Sequence, residues 1–174
     1  MPEKYKRHFL KTREAKLLVN KASERIKFGL EQILMVKAKV ELVKTEIAEI
    51  YIFNNKPLFA KIGENVFPTL VFNEFLNLAP KVVVDMGAVP HVCNGANVMA
   101  PGIVNIEGNF RKGELVVVVD EKHRKPLAIG ETEYDMNEMK SVKHGVVVKN
   151  IHHVGDHIWN LVKGLLSERI THIN

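Results

Sequence analysis

The chain has 174 residues, 46% of them hydrophobic and 26% charged, enough to build one ordinary domain or two small ones. Its single cysteine, Cys93, excludes an intramolecular disulfide and with it a secreted, disulfide-stapled fold. The net charge of +5 is one-sided: residues 1–79 hold 14 Lys and Arg against 9 acids, whereas residues 80–174 hold 11 of each.

The N-terminal stretch MPEKYKRHFLKTREAKLLV is broken by charge every few residues and has no signal-peptide apolar region. No apolar run reaches bilayer length, so a cytoplasmic protein without a membrane partner is expected. Thr12 is the predicted cap of a helix whose apolar positions Ala15, Leu18, Val19, Ala22 and Ile26 recur at three- and four-residue steps, and Gly29 is its stop. Its polar face carries the basic excess, from Lys4, Lys6, Arg7 and Lys11 through Arg13, Lys16, Lys21, Arg25 and Lys27. Such a face suits either a polyanion or plain solvation. Arg13, Lys16 and Lys21 are taken as candidate RNA contacts. After a shorter apolar segment, LEQILMV, the period changes to two. KAKVELVKTE, IAEIYIFN and KPLFAKI read as a three-stranded meander with a hairpin turn at Asn54-Asn55. Pro68 in VFPTLVFNEFLNLAP is placed in the first turn of a helix that ends before Pro80.

Beyond Pro80 the pattern turns mainly to strands: KVVVD, NVMAPGIV, GELVVVVDE, KPLAIGETEY and HGVVVKNIHHV, with turns at residues 108–113 and at EKHRKP. Short strands at about ten-residue spacing suggest a small barrel or sandwich. The expected fold class is α+β. A small N-terminal α/β domain spans residues 1–79, a β-rich domain residues 80–160, and a C-terminal extension residues 161–174.

The stretch VDMGAVPHVCNGANVMAPGIV is unusually rich in glycine. Asp85 and Gly95 are the residue types expected before and after a helix, and Pro90 must lie in its first turn, which places the start near Met86 or Gly87. Gly87 would then leave free backbone N–H groups open to a phosphate. Gly95 is expected to take positive φ at the helix stop, and Gly102, after Pro101, to form a turn or bulge.

This stretch, with FRKGELVVVVDEKHRKPLAIGE and KHGVVVKNIHHVGDHIW after it, resembles the PUA domain, the RNA-binding module named for pseudouridine synthases and archaeosine transglycosylases. The resemblance rests on the valine strand with Asp85, Gly87-Ala88, Gly95-Ala96, Pro101-Gly102, the Lys112-Gly113 turn, Ala128-Ile129-Gly130 and Gly145. It implies a PUA-type β pseudo-barrel. LFAKIGENVFPTLVFNEF before this part and VKNIHHVGDHIW after it are similar to the malignant T-cell-amplified protein family, in which a small α/β domain precedes a PUA domain. That resemblance implies a protein acting in translation initiation, re-initiation or recycling, on tRNA or rRNA at the small ribosomal subunit. It also implies a separate partner like density-regulated protein, which ligatin joins in one chain and of which this sequence carries no counterpart. In PUA domains RNA is held by the loop after the first strand, the following helix and a late strand, here residues 85–95 and 146–153. The resemblance implies RNA contacts at Asp85, Gly87, Ala88, His91, Gly95, Ala96 and His152, with Lys143 and Lys149 as flanking bases.

Other chemistry is weaker. His152, His153 and His157 have zinc-like proximity, but Gly155 and Asp156 intervene and the segment reads as strand then turn, so packing or hydrogen bonding of His152 is favoured over a metal. His91 and Cys93 are two apart on a predicted helix and do not face each other, which leaves a buried thiol. Lys122, His123, Arg124 and Lys125 form a hairpin loop, and Trp159 is assigned to a core or interface. With no P-loop, dinucleotide fingerprint or paired-carboxylate cleft, neither an enzyme nor a cofactor is expected. The alternatives are a protein-interaction adaptor with a PUA-like surface and an accessory RNA-binding factor in tRNA or rRNA modification.

Overall fold

A computed structural model describes residues 4–27, 30 and 39–171. The chain divides into two compact units, Met1–Glu74 with Asn160–Asn174, and Phe75–Trp159.

The first unit is built on a five-stranded antiparallel sheet in the order β1-β2-β3-β4-β5. The predicted meander is present as β2 (Val40–Lys44), β3 (Glu49–Phe53) and β4 (Lys56–Ile62). Asn54 and Asn55 have φ of 46° and 71°, the left-handed pair that a two-residue hairpin turn requires. Two further strands flank the meander. β1 (Lys6–Phe9) is wholly exposed and pairs with β2 from Lys6 opposite Lys44 to Phe9 opposite Glu41. It takes Lys6 and Arg7 out of the predicted helix face. β5 (Asn65–Pro68) returns along β4, so Pro68 ends an edge strand rather than starting a helix. An edge position spares proline the ladder bond it cannot donate. The helix expected there, α2 (Asn73–Leu78), begins five residues later.

Helix α1 (Thr12–Arg25) starts one residue after its cap, which is Lys11 and not Thr12. The Lys11 N–H donates to the Glu14 carboxylate at 2.8 Å, half of a capping box. Leu18, Ala22 and Ile26 are buried, as their spacing predicts. Gly29 and, apart from Leu30, the segment LEQILMV lie outside the described residues. Phe59 packs edge-on against Phe53 and Phe72, with ring centroids 5.8 and 5.4 Å apart. A long C-terminal helix, α5 (His157–Thr171), stands where no element is predicted. From Asn160 onward it belongs to the first unit. Its Glu168 accepts the Tyr5 hydroxyl at 2.6 Å, and its Arg169 donates to Glu41 at 3.0 Å. Glu41 also takes the Arg7 guanidinium, which holds its carboxyl below the usual range.

The second unit carries β6 (Lys81–Val84), α3 (Val89–Val92), β7 (Val98–Met99), β8 (Ile103–Glu107), β9 (Leu115–Asp120), β10 (Pro126–Thr132), α4 (Met136–Met139) and β11 (Val146–His153). The sheet order is β7-β11-β10-β9-β6-β8, antiparallel except for β6 with β9. The predicted strand NVMAPGIV is thus split in two by a 3₁₀ turn at Ala100–Gly102. This split shapes the unit. β7 and β8 are the two end strands, which in a flat sheet would stand about 24 Å apart. Four Cα steps from Met99 to Ile103 reach at most about 14 Å. The sheet must curl to bring its end strands within that reach, and the Ala100 N–H extends the β7–β11 ladder by donating to the Gly145 carbonyl at 2.9 Å. The result is the expected PUA-type pseudo-barrel in an α+β chain. Its core is valine-rich, with Val82, Val84, Val116, Val118 and Val147 all buried. The continuous run of β9 is buried along its whole length, which is why it shows no alternation.

Candidate nucleic-acid interface

The loop after β6 is arranged around Asp85. Its own N–H donates to the Gly102 carbonyl at 2.9 Å, and its carboxylate accepts the Ala88 N–H at 2.8 Å. The neighbouring Met86 N–H donates to Glu121 at 3.2 Å. Helix α3 begins only at Val89, with Ala88 as cap and Pro90 in the first turn, and runs for four residues. The start expected near Met86 or Gly87 is therefore corrected by two to three residues. Asp85 closes a turn ahead of the helix, and the amides on either side of Gly87 already meet carboxylates. Gly87 itself is exposed and not left-handed, and a Cβ on it would stand 3.3 Å from Asp85 Oδ1.

Gly95 has φ of 92°, as the helix stop requires. A side chain there would also meet the His153 ring, 3.1 Å from Nε2. The Gly95 and Ala96 amides donate to the Val92 and His91 carbonyls at 3.0 Å each, which folds residues 92–96 back on α3. His91, Gly95 and Ala96 are exposed.

The late strand β11 holds this loop through Asn150, a residue that sequence reasoning missed. Its Nδ2 donates to the Val92 and Ala96 carbonyls at 3.0 Å each, and its backbone N–H donates to Asn97 Oδ1 at 2.9 Å. The loop and the late strand that the sequence assigns to one surface are thus joined by side-chain bonds. The usable signal is Asn150 itself, a residue type depleted in strands standing in the run VVVKNI.

The remaining candidates divide. His152 is 1% exposed, and its Nδ1 lies 2.8 Å from Asp156 Oδ2. Asp156 also accepts the His153 N–H at 2.9 Å and the Trp159 N–H at 2.7 Å, so it caps α5. Burial pushes the Asp156 carboxyl up, but His152 and the two amides outweigh it and hold the group below its ordinary value. Lys149 is exposed and paired with Glu133 at 3.1 Å, a bond that raises its pKa. Lys143 is exposed and borders a groove beside β8, not the α3 loop. In the first unit Arg13 and Lys16 are exposed on α1, while Lys21 pairs with Glu64 at 2.8 Å. Cys93 is half-buried, and burial raises its thiol pKa. Lys122, His123, Arg124 and Lys125 are exposed on the β9–β10 turn, whose backbone is gathered by the Asp120 carboxylate. Among the described residues no group of three or more His, Cys, Asp or Glu is placed to hold a metal, and no helix is long and apolar enough to cross a membrane.

Comparison with known proteins follows the same division of the chain. Residues 80–154 match the PUA domain, and residues 6–73 match a domain of unknown function, DUF1947. The chain is 33% identical to translation machinery-associated protein 20 of Saccharomyces cerevisiae over 165 residues, covering 90% of each chain. It is 29% identical to malignant T-cell-amplified sequence 1 of Danio rerio over 138 residues, 76% of each. A crystal structure of a PUA domain from Aeropyrum pernix K1 in complex with tartrate superposes with a TM-score of 0.78 at 26% identity, covering 94% of each chain. The chain belongs to the family of PUA-domain proteins that includes translation machinery-associated protein 20 and malignant T-cell-amplified sequence 1.

Proposed function

We propose that this protein is a non-catalytic, cytoplasmic RNA-binding factor of the translation machinery that holds tRNA or rRNA at the small ribosomal subunit. The observation that carries the reading is the clamped loop. Asn150 fixes residues 92–96 against β11 while Gly95 and Ala96 stay exposed. A surface of this kind meets RNA through backbone and shape, which suits a half of the chain with no net charge. Asp85, Gly87, Ala88 and His91 extend it on the α3 side and exposed Lys149 on the late-strand side, while His152 is buried against Asp156 and Lys143 borders the groove beside β8, so neither is drawn into the RNA surface. Phosphate contacts come from the basic first unit, through Arg13, Lys16 and Lys21. The names of the relatives support a role in translation. The family resemblance adds initiation, re-initiation or recycling as the step, with a separate partner similar to density-regulated protein.

Crosslinking of the purified protein to total cellular RNA, with identification of the bound species, tests the proposal. Enrichment of tRNA or small-subunit rRNA is expected, with affinity that falls steeply as salt rises. Recovery of no RNA, or binding indifferent to salt, overturns it.

A further inference from the structure

We infer that the outer edge of β8 accepts an extended, acidic polypeptide segment of a partner protein as an added strand. Strand β8 stands at the end of the second sheet and pairs with β6 alone, from Glu107 opposite Lys81 to Ile103 opposite Val84. Among the described residues no strand lies beside the N–H and C=O groups on its other side. An open edge of this kind is a template for another chain unless charge, proline or a cover blunts it. Here the middle of the strand reads Ile103, Val104, Asn105, Ile106, with no lysine and no proline, and Val104 is 49% exposed.

What lies beyond the edge is a groove of about 390 Å³. Its near wall is β8, and its far wall is formed by Met139, Lys140, Val142 and Lys143. Apolar side chains from both walls line it, and none of the lining residues is acidic. Lys140 and Lys143 are exposed at this groove, and neither takes part in the ion pairs found among the described residues. The arrangement asks for three things at once: main-chain bonding groups along one edge, apolar side chains on alternate positions, and negative charge opposite two lysines. An extended peptide that alternates apolar and acidic residues supplies all three. RNA satisfies only the charge, since the groove has no aromatic side chain on which a base could stack. A second copy of this chain would set the same lysines against each other.

Selection of random dodecapeptides on the full-length protein, followed by NMR with the synthesised consensus peptide, tests the inference. Enriched sequences should alternate apolar and acidic residues. The consensus peptide should shift the amide resonances of residues 103–107, 140 and 143. The double variant Lys140→Glu/Lys143→Glu should melt like the parent and bind that peptide at least tenfold more weakly. The inference is overturned by enriched peptides without acidic residues, by shifts confined elsewhere, or by an unchanged affinity in the double variant. It is equally overturned if a uridine decamer displaces the peptide from these resonances, or if sedimentation shows the parent self-associating through this edge.

Discussion

Replacing Asn150 by Asp changes one atom pair and inverts the clamp. The Nδ2 group faces two carbonyl oxygens at 3.0 Å, so the side chain must donate to both. A carboxylate of the same shape cannot donate to either. Losing the two bonds costs about 0.5–1.5 kcal/mol each, and an acceptor left facing acceptors in a half-buried site adds about 1–3 kcal/mol. A total of about 2–6 kcal/mol should lower the Tm of the second unit by about 8 °C or more, given roughly 4–8 °C per kcal/mol for a domain of this size. The damage should be local first. Amide exchange at Gly95 and Ala96, which bond back to Val92 and His91, should speed up before the valine strands are affected. Facing two carbonyls in a half-buried site, the new carboxyl favours its neutral form, which can donate one bond, so part of the loss should return as the pH is lowered, starting above the ordinary carboxylate range. The fold reasoning fails if Asn150→Asp melts within 2 °C of the parent and leaves exchange at both amides unchanged, with ~2 °C lying well inside the smallest shift expected. If the loop is the RNA surface, affinity for RNA should fall with it.

Three further outcomes follow from other parts of the structure. Gly130→Ala should cost about 1–3 kcal/mol and lower the Tm by calorimetry, because a Cβ would overlap Val148 and stand 2.8 Å from the Lys149 carbonyl, beside the register shift between β10 and β11. The depressed Asp156 carboxyl contributes stability above the ordinary carboxylate pKa of about 3.9 and loses it as pH falls through its lowered folded value. Asp156→Asn should therefore melt below the parent at pH 7, with the gap closing in acid below about pH 4. Arg13→Gln/Lys16→Gln should leave the melt unchanged, since both side chains are exposed, and should reduce the log–log salt slope of RNA binding by about 0.7–0.9 per lost contact.

The meander from β2 to β4 was legible because its strands are short runs rich in β-branched and aromatic residues, buried on both faces in β3 and β4, and Asn54-Asn55 announces the turn. Strand β1 was not. KRHF has no apolar alternation and is held by pairing with β2 and by Arg7 against Glu41, which are long-range facts. Pro68 misled because proline opens helices and also closes edge strands, and only the partner strand decides. Helix α5 carried a readable signal, Asp156 followed by Ile158, Leu161, Val162 and Leu165 at helical steps, all four buried. Asn150 could not be read as a clamp, since its partners are carbonyls more than fifty residues away in the chain.

The glycines of VDMGAVPHVCNGANVMAPGIV now separate by what the fold demands of them. Gly95 needs both its positive φ and the absence of a side chain beside His153. Gly102 is crowded, since a Cβ there would come 3.3 Å from the Ala88 Cβ, where the 3₁₀ turn before β8 meets the loop after β6. Gly87 is under the weakest demand. It is exposed and not left-handed, and a methyl group would meet only the end of the Asp85 side chain. Gly87→Ala should therefore nearly preserve stability. The gain of about 0.4–1 kcal/mol from a less flexible unfolded chain offsets the tight contact with Asp85. If the glycine is there to let RNA approach the backbone, the same substitution should weaken RNA binding while the melt stays in place. A stable Gly87→Ala variant that binds RNA like the parent would remove Gly87 from the interface. A variant that melts several degrees lower would place the demand in the Asp85 turn instead, where loss of the Ala88 N–H bond should show as faster exchange at that amide.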